Sequence, residues 1–135
     1  MRLEVTRKSD LAVRALQALD ASSARVKGPE LAEMVGSTSG FVSQVLTPCV
    51  RAGWVRSDPG PAGGYSLTAD LDEVSVLAVI ETIEGPTESG RCVLAERQCD
   101  SGGTCALHVP WLQARAQLLV QLDAVSVAAA SLTTS

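Results

Sequence analysis

The sequence predicts a mainly α fold, a winged helix-turn-helix with a two-stranded wing and a long C-terminal helix suited to dimerisation. Three observations predict it. A short amphipathic segment opened by Gly28-Pro29 and closed by Gly36 is followed, after Ser37-Thr38-Ser39, by a second one, the helix-turn-helix pattern. A glycine- and proline-rich connector, Asp58 to Gly64, then joins two short strand-like runs. Hydrophobic residues make up 46% of the chain but aromatics only 3%, so the core must be built from Leu, Val and Ala, which suits helices.

The elements follow in order. Residues 7–21 predict a first helix, because Leu11, Ala12, Ala15, Leu16 and Leu19 form one apolar stripe. Asp10 sits in its first turn, where a carboxylate complements the helix dipole, and it can also pair with Arg14 at i+4. Ser22-Ser23 ends it, and Arg25-Val26-Lys27 is expected as a short edge strand. Pro29 starts the second helix at a first-turn position, with Leu31, Ala32 and Val35 inward. The third helix should bury Val42, Val45, Leu46 and Cys49, and Pro48 is expected to kink it or end it early. The wing strands are read as Trp54–Ser57 and Tyr65–Leu67. Asp72 is expected to cap a fourth helix whose apolar side is Val76, Leu77, Val79, Ile80 and Ile83. A final helix is predicted from Pro110 to about Ala130, with a coiled-coil-like seam of Trp111, Arg115, Leu118, Leu122, Val125 and Ala129. Leu112, Leu119 and Val120 leave it apolar on a second side, which a symmetry mate would cover.

Between the last two helices lies C-x6-C-x5-C-x2-H, made by Cys92, Cys99, Cys105 and His108. These are three of the four cysteines and the only histidine. Thiolates select zinc, copper(I) or iron–sulfur clusters. The spacing is wider than the tight pairs of structural zinc sites, which favours a cluster and leaves zinc open. His108 can equally serve as a cap or outer contact near the final helix. Cys49, on an apolar helix face, reads as a small buried hydrophobe. The organisation is thus 1–85, a DNA-binding head; 86–109, a cysteine-rich loop; and 110–135, a dimerisation helix and frayed tail.

Net charge is −4, but residues 1–66 carry eight basic against six acidic side chains and residues 67–135 three against nine. A DNA-facing surface is therefore expected in the N-terminal half. Ser37, Thr38, Ser39, Ser43 and Gln44 stand where side chains reach base edges. Arg7, Lys8, Lys27, Arg51 and Arg56 could meet phosphates. One histidine, no nucleophilic triad and no Gly-rich phosphate loop argue against an enzyme, and no small-molecule substrate is expected. There is no run of about 18 apolar residues and no apolar leader, so a cytoplasmic protein without membrane contact is expected.

The stretches T-R-K-S-D-L-A-V-R-A-L, E-L-A-E-M-V-G-S-T-S-G-F-V-S-Q-V-L, R-A-G-W-V-R-S-D-P-G-P-A-G-G-Y-S-L and V-L-A-V-I-E-T-I-E-G-P, with the three-cysteine loop, resemble the Rrf-type family of bacterial winged-helix regulators (IscR-, NsrR- and RirA-like). The resemblance covers nearly the whole chain. It implies a homodimeric repressor that binds a palindromic operator in double-stranded DNA under control of an iron–sulfur cluster sensing nitric oxide, redox state or iron–sulfur supply. It puts Cys92, Cys99 and Cys105 on the cluster and Gly63, Gly64 and Tyr65 among the DNA-binding residues, in the wing. For the fourth ligand it offers Asp10 from the partner subunit with a 4Fe–4S cluster, which is favoured, or His108 with a 2Fe–2S cluster. The alternative is a cluster-free or zinc-stabilised module. Pro59 departs from the family, where an arginine able to enter the minor groove often precedes the first wing glycine.

Overall fold

A computed structural model describes residues 4–22, 24–86 and 106–130. Thr6 stands in extended backbone, and its Oγ1 accepts from the Ser9 N–H at 3.2 Å. That cap satisfies one donor that a helix start leaves unpaired, and α1 runs Arg7–Ala21. Its whole predicted stripe is buried. Ser9 is buried on the same helix, and its hydroxyl donates to Glu84 Oε2, which offsets the cost of taking a polar group out of water.

α2 spans Gly28–Val35 and α3 Ser39–Arg51. Between them Gly36 adopts φ +68°, which an L side chain would strain. Its N–H reaches Glu33 O at 3.2 Å, and the Ser37 N–H reaches Ala32 O at 2.8 Å, the two bonds of a Schellman ending. Thr38 caps α3, accepting from the Phe41 N–H at 3.2 Å. Val42, Val45, Leu46 and Cys49 are buried as expected. The early end expected at Pro48 does not occur, and α3 continues to Arg51. Pro48 lies in the last turn, where it forfeits a single bond to Gln44. The turns beyond are held by Trp54 N–H to Cys49 O and Gly53 N–H to Val50 O, both at 3.0 Å, and by full burial of Cys49.

The wing strands are β1 (Val55–Asp58) and β2 (Gly64–Leu67), antiparallel, with Val55 opposite Leu67 and Asp58 opposite Gly64. Each lies within a residue of its expected bounds. The edge strand expected at 25–27 is a single bridge, Val26 to Tyr65. α4 covers Val76–Glu84, and its cap is Ser75, not Asp72; the Ser75 hydroxyl accepts from the Ala78 N–H at 3.0 Å. Asp72 instead closes a turn on Asp70. Burial of Leu71 and Val74 in the core holds that segment out of helical geometry until Ser75. α1 sits centrally and packs on α2, α3, α4 and β2.

α5 spans His108–Ala124, so it starts earlier and stops six residues sooner than the expected Pro110–Ala130. Pro110 is harmless in the first turn. Beyond Ala124 the chain is extended at Val125–Ser126 and then turns over residues 127–130. Ser126 bridges Ser75, Val76 N–H donates to Val125 O at 2.8 Å, and Val127 N–H donates to Val74 O at 2.8 Å. Val127 is fully buried, and Gln17 Nε2 donates to its carbonyl at 3.0 Å. β-branched residues on both sides of Ser126 favour this extended stitch over helix. The expected seam is also redrawn. Trp111, Arg115, Leu119 and Leu122 are half-buried, with α5 packed on α4, whereas Leu118, Val125 and Ala129 are exposed.

Candidate DNA-binding face and metal centre

The side of α3 opposite its core residues is exposed and carries Ser39, Ser43, Gln44 and Arg51. Gly40 and Thr47, which the sequence reading passed over, complete it. No atom lies within 4 Å of where a Gly40 Cβ would stand, so core packing does not require glycine there. A helical glycine without a packing reason lets another molecule's surface approach the backbone, and that was the available signal. Thr38 is exposed but its oxygen is committed to the cap, and Ser37 is half-buried in the turn. Burial pushes the Cys49 thiol on the inner side up to about 11, so it stays protonated and inert. Its Sγ donates to Val45 O at 3.4 Å.

The wing glycines have structural reasons. A Cβ on Gly63 would stand 2.0 Å from the Asp58 carbonyl oxygen, and one on Gly64 2.6 Å from the Val26 carbonyl oxygen. They let the hairpin close and let Val26 bridge Tyr65. Tyr65 is half-buried against Gly28 at the start of α2. A cleft of ≈ 360 Å³ opens between the wing and α2, lined by Lys27, Pro29, Ser57 and Tyr65 among others. Arg7, Lys8 and Lys27 are exposed. Arg56 is exposed too, but its Nε donates to Asp58 Oδ1 at 3.2 Å, so any phosphate must compete with that carboxylate.

Of the candidate metal ligands, Cys92, Cys99 and Cys105 lie outside the described residues. Among the described residues no three His, Cys, Asp or Glu side chains gather into a metal site. Asp10 lies in the first turn of α1, its side chain 55% exposed and 3.1 Å from Arg14 Nε. Arg14 Nη1 in turn donates to Val35 O at the end of α2 at 2.7 Å. His108 is the first residue of α5 and half-buried. No described helix is long and apolar enough to cross a membrane.

A helix-turn-helix followed by a wing, with a polar exposed face on the second helix, defines a winged-helix DNA-binding head. The Rrf2 family profile, described as an iron-dependent transcriptional regulator, matches residues 5–131. The chain belongs to that family of transcription regulators and is not an enzyme. It is 28% identical over 127 residues to the HTH-type transcriptional regulator IscR of Aliivibrio salmonicida, covering 93% of this chain and 75% of that one. It is 30% identical over 113 residues to IscR of Serratia proteamaculans, covering 81% and 67%. Among solved structures, oxidized CymR of Staphylococcus aureus superposes with a TM-score of 0.74 at 18% identity over 98% of this chain and 99% of that one. IscR of T. potens gives 0.72 at 22% over 94% and 85%. At such identities these two establish the fold.

Proposed function

We propose that this chain is a cytoplasmic repressor that binds a palindromic operator as a homodimer, with affinity set by an iron–sulfur cluster on Cys92, Cys99 and Cys105. The observation that carries the DNA half is the exposed polar face of α3, with Gly40 unneeded by the core. The dimer is supported by Leu112, Leu118 and Val120, each a large apolar side chain left exposed on α5.

The donor set fits a cluster. Three thiols are soft ligands, and the Asp10 carboxylate is open enough to reach outside its own subunit. Asp10 of the partner subunit is the favoured fourth ligand, of a 4Fe–4S cluster; His108, with a 2Fe–2S cluster, is the alternative. The bound group would supply iron–ligand bonds that nitric oxide, oxidants or iron shortage can break. The rest is done by the chain. Arg14 holds Asp10 and the end of α2 at once, so a change in Asp10's partner reaches the turn before the recognition helix. Half-sites have a fixed separation, so a small displacement of the two heads changes affinity.

Protein purified without air and with ample iron should be coloured and contain iron and acid-labile sulfide. It should bind a palindromic promoter fragment in a salt-dependent manner, and nitric oxide should change that affinity. Colourless protein with stoichiometric zinc would replace the sensor by the zinc-stabilised module. An Asp10→Ala protein with an unaltered spectrum and DNA response would move the fourth-ligand assignment away from Asp10.

A further inference from the structure

The wing has no cation of its own at its tip. From Ser57 to Ala69 the sequence holds neither lysine nor arginine, and the residue before Gly60 is Pro59. A guanidinium nonetheless lies there. Arg25, in the connection between α1 and α2, donates from Nη1 to Ala62 O at 2.7 Å. Its Nε stands 3.5 Å from Asp58 Oδ2, and 44% of its side chain remains exposed. Its stem crosses Gly64, where a Cβ would come within 3.0 Å of Arg25 Cγ.

Three features set this apart from an ordinary surface ion pair. Asp58 also has Arg56 Nε 3.2 Å from the same oxygen, so two arginines share one carboxylate and a positive charge is left over. Asp58 is the more sheltered partner, with 22% of its side chain exposed, so the charge it fixes sits on a firm base. The tip itself, Pro59 to Gly64, is slim and uncharged, with Gly63 folded so tightly on Asp58 that no Cβ fits. A narrow neutral loop with one pre-placed guanidinium suits a narrow, electronegative minor groove. Arginine, more weakly hydrated than lysine, is the cation such a groove favours.

We propose that Arg25 is the wing's DNA-reading residue, delivered from the α1–α2 connection into an A·T-rich minor groove beside the half-site. Arg56 neutralises Asp58 when Arg25 turns to the DNA. This rests on the DNA-binding reading above.

The test uses a duplex enriched from a random-sequence pool by the full-length protein purified anaerobically. Its A·T pairs flanking the half-site are replaced by inosine·C, which keeps the A·T minor-groove face, or by G·C, which puts an amino group there. The unmodified protein should lose about tenfold in affinity with G·C and little with inosine·C. Arg25→Ala should lose about tenfold on the A·T duplex and no longer separate the three. Arg25→Lys should keep the salt dependence and lose most of the discrimination. Asp58→Asn, which removes the anchor but leaves Arg25 in place, should weaken the discrimination without abolishing it, whereas complete loss with Arg25 still present would assign the effect to a loosened wing and count against Arg25. If Arg25→Ala instead weakens all three duplexes equally while wild-type discrimination persists, and the salt slope drops by about 1, Arg25 is a phosphate contact and the proposal is overturned. Failure to enrich any duplex would bring down the DNA-binding reading with it.

Discussion

Val127→Ala removes two methyl groups from a site with no solvent exposure. At roughly 0.8 kcal/mol per buried carbon, with a cavity contribution of similar size, the expected loss is about 2–3 kcal/mol. That is a large share of a domain stability of about 5–15 kcal/mol. Val125 lies two residues earlier in the same stitch but is 40% exposed, so Val125→Ala should cost under about 0.5 kcal/mol. The two substitutions remove the same atoms two residues apart, Val125 in extended backbone and Val127 at the start of the turn that follows, and the large difference between them is burial. Urea unfolding followed by far-UV circular dichroism, at matched protein concentrations, measures both. A helix continued to Ala130 would invert the order, because the coiled-coil seam drawn from sequence includes Val125 and not Val127. Equal losses, or a larger loss at Val125, would refute the stitched ending.

Gly40→Ala should raise stability by about 0.5 kcal/mol, since alanine fits the open helical position, while lowering DNA affinity severalfold; gains in both would remove Gly40 from the interface. Gly63→Ala must displace the Asp58 carbonyl and should cost about 2 kcal/mol as strain, with wing-dependent binding lost and helix content unchanged by circular dichroism. The Cys49 thiol is held protonated by burial up to about 11, above its usual 9.0. The unfolded chain therefore releases that proton first, and stability is full below pH 9 and falls between pH 9 and 11. Cys49→Ala should lose this high-pH decline in a pH series of unfolding midpoints.

Much of the head is legible because its signals are local. The 3.6-residue spacing of Leu11, Ala12, Ala15, Leu16 and Leu19 marks α1, and Gly36 marks the turn wherever the rest of the chain goes. The Asp10–Arg14 pair, offered by i+4 spacing, forms. What sequence misplaces is decided by distant partners. Ser75 rather than Asp72 caps α4 because Leu71 and Val74 enter the core first. α3 survives Pro48 because Trp54 and Gly53 tie down its last turn. α5 ends at Ala124 because Val127 finds a core site 110 residues from its partner Gln17. From sequence Arg25 reads only as part of an edge strand, because its place at the wing depends on Asp58 and Ala62, which only folding brings beside it. Cys92, Cys99 and Cys105 were picked out by residue type and spacing, and they lie outside the described residues.

The stitch at residues 125–128 makes α5 a lever whose fulcrum is the segment leading from the wing into α4. Seventeen residues at 1.5 Å each give an arm of about 25 Å. A pivot of about 5° there carries the His108 end through about 2 Å, and the reverse holds if that end is clamped. Leverage of this kind delivers its torque to residues 71–76, between the wing and α4, and through α4 to α3.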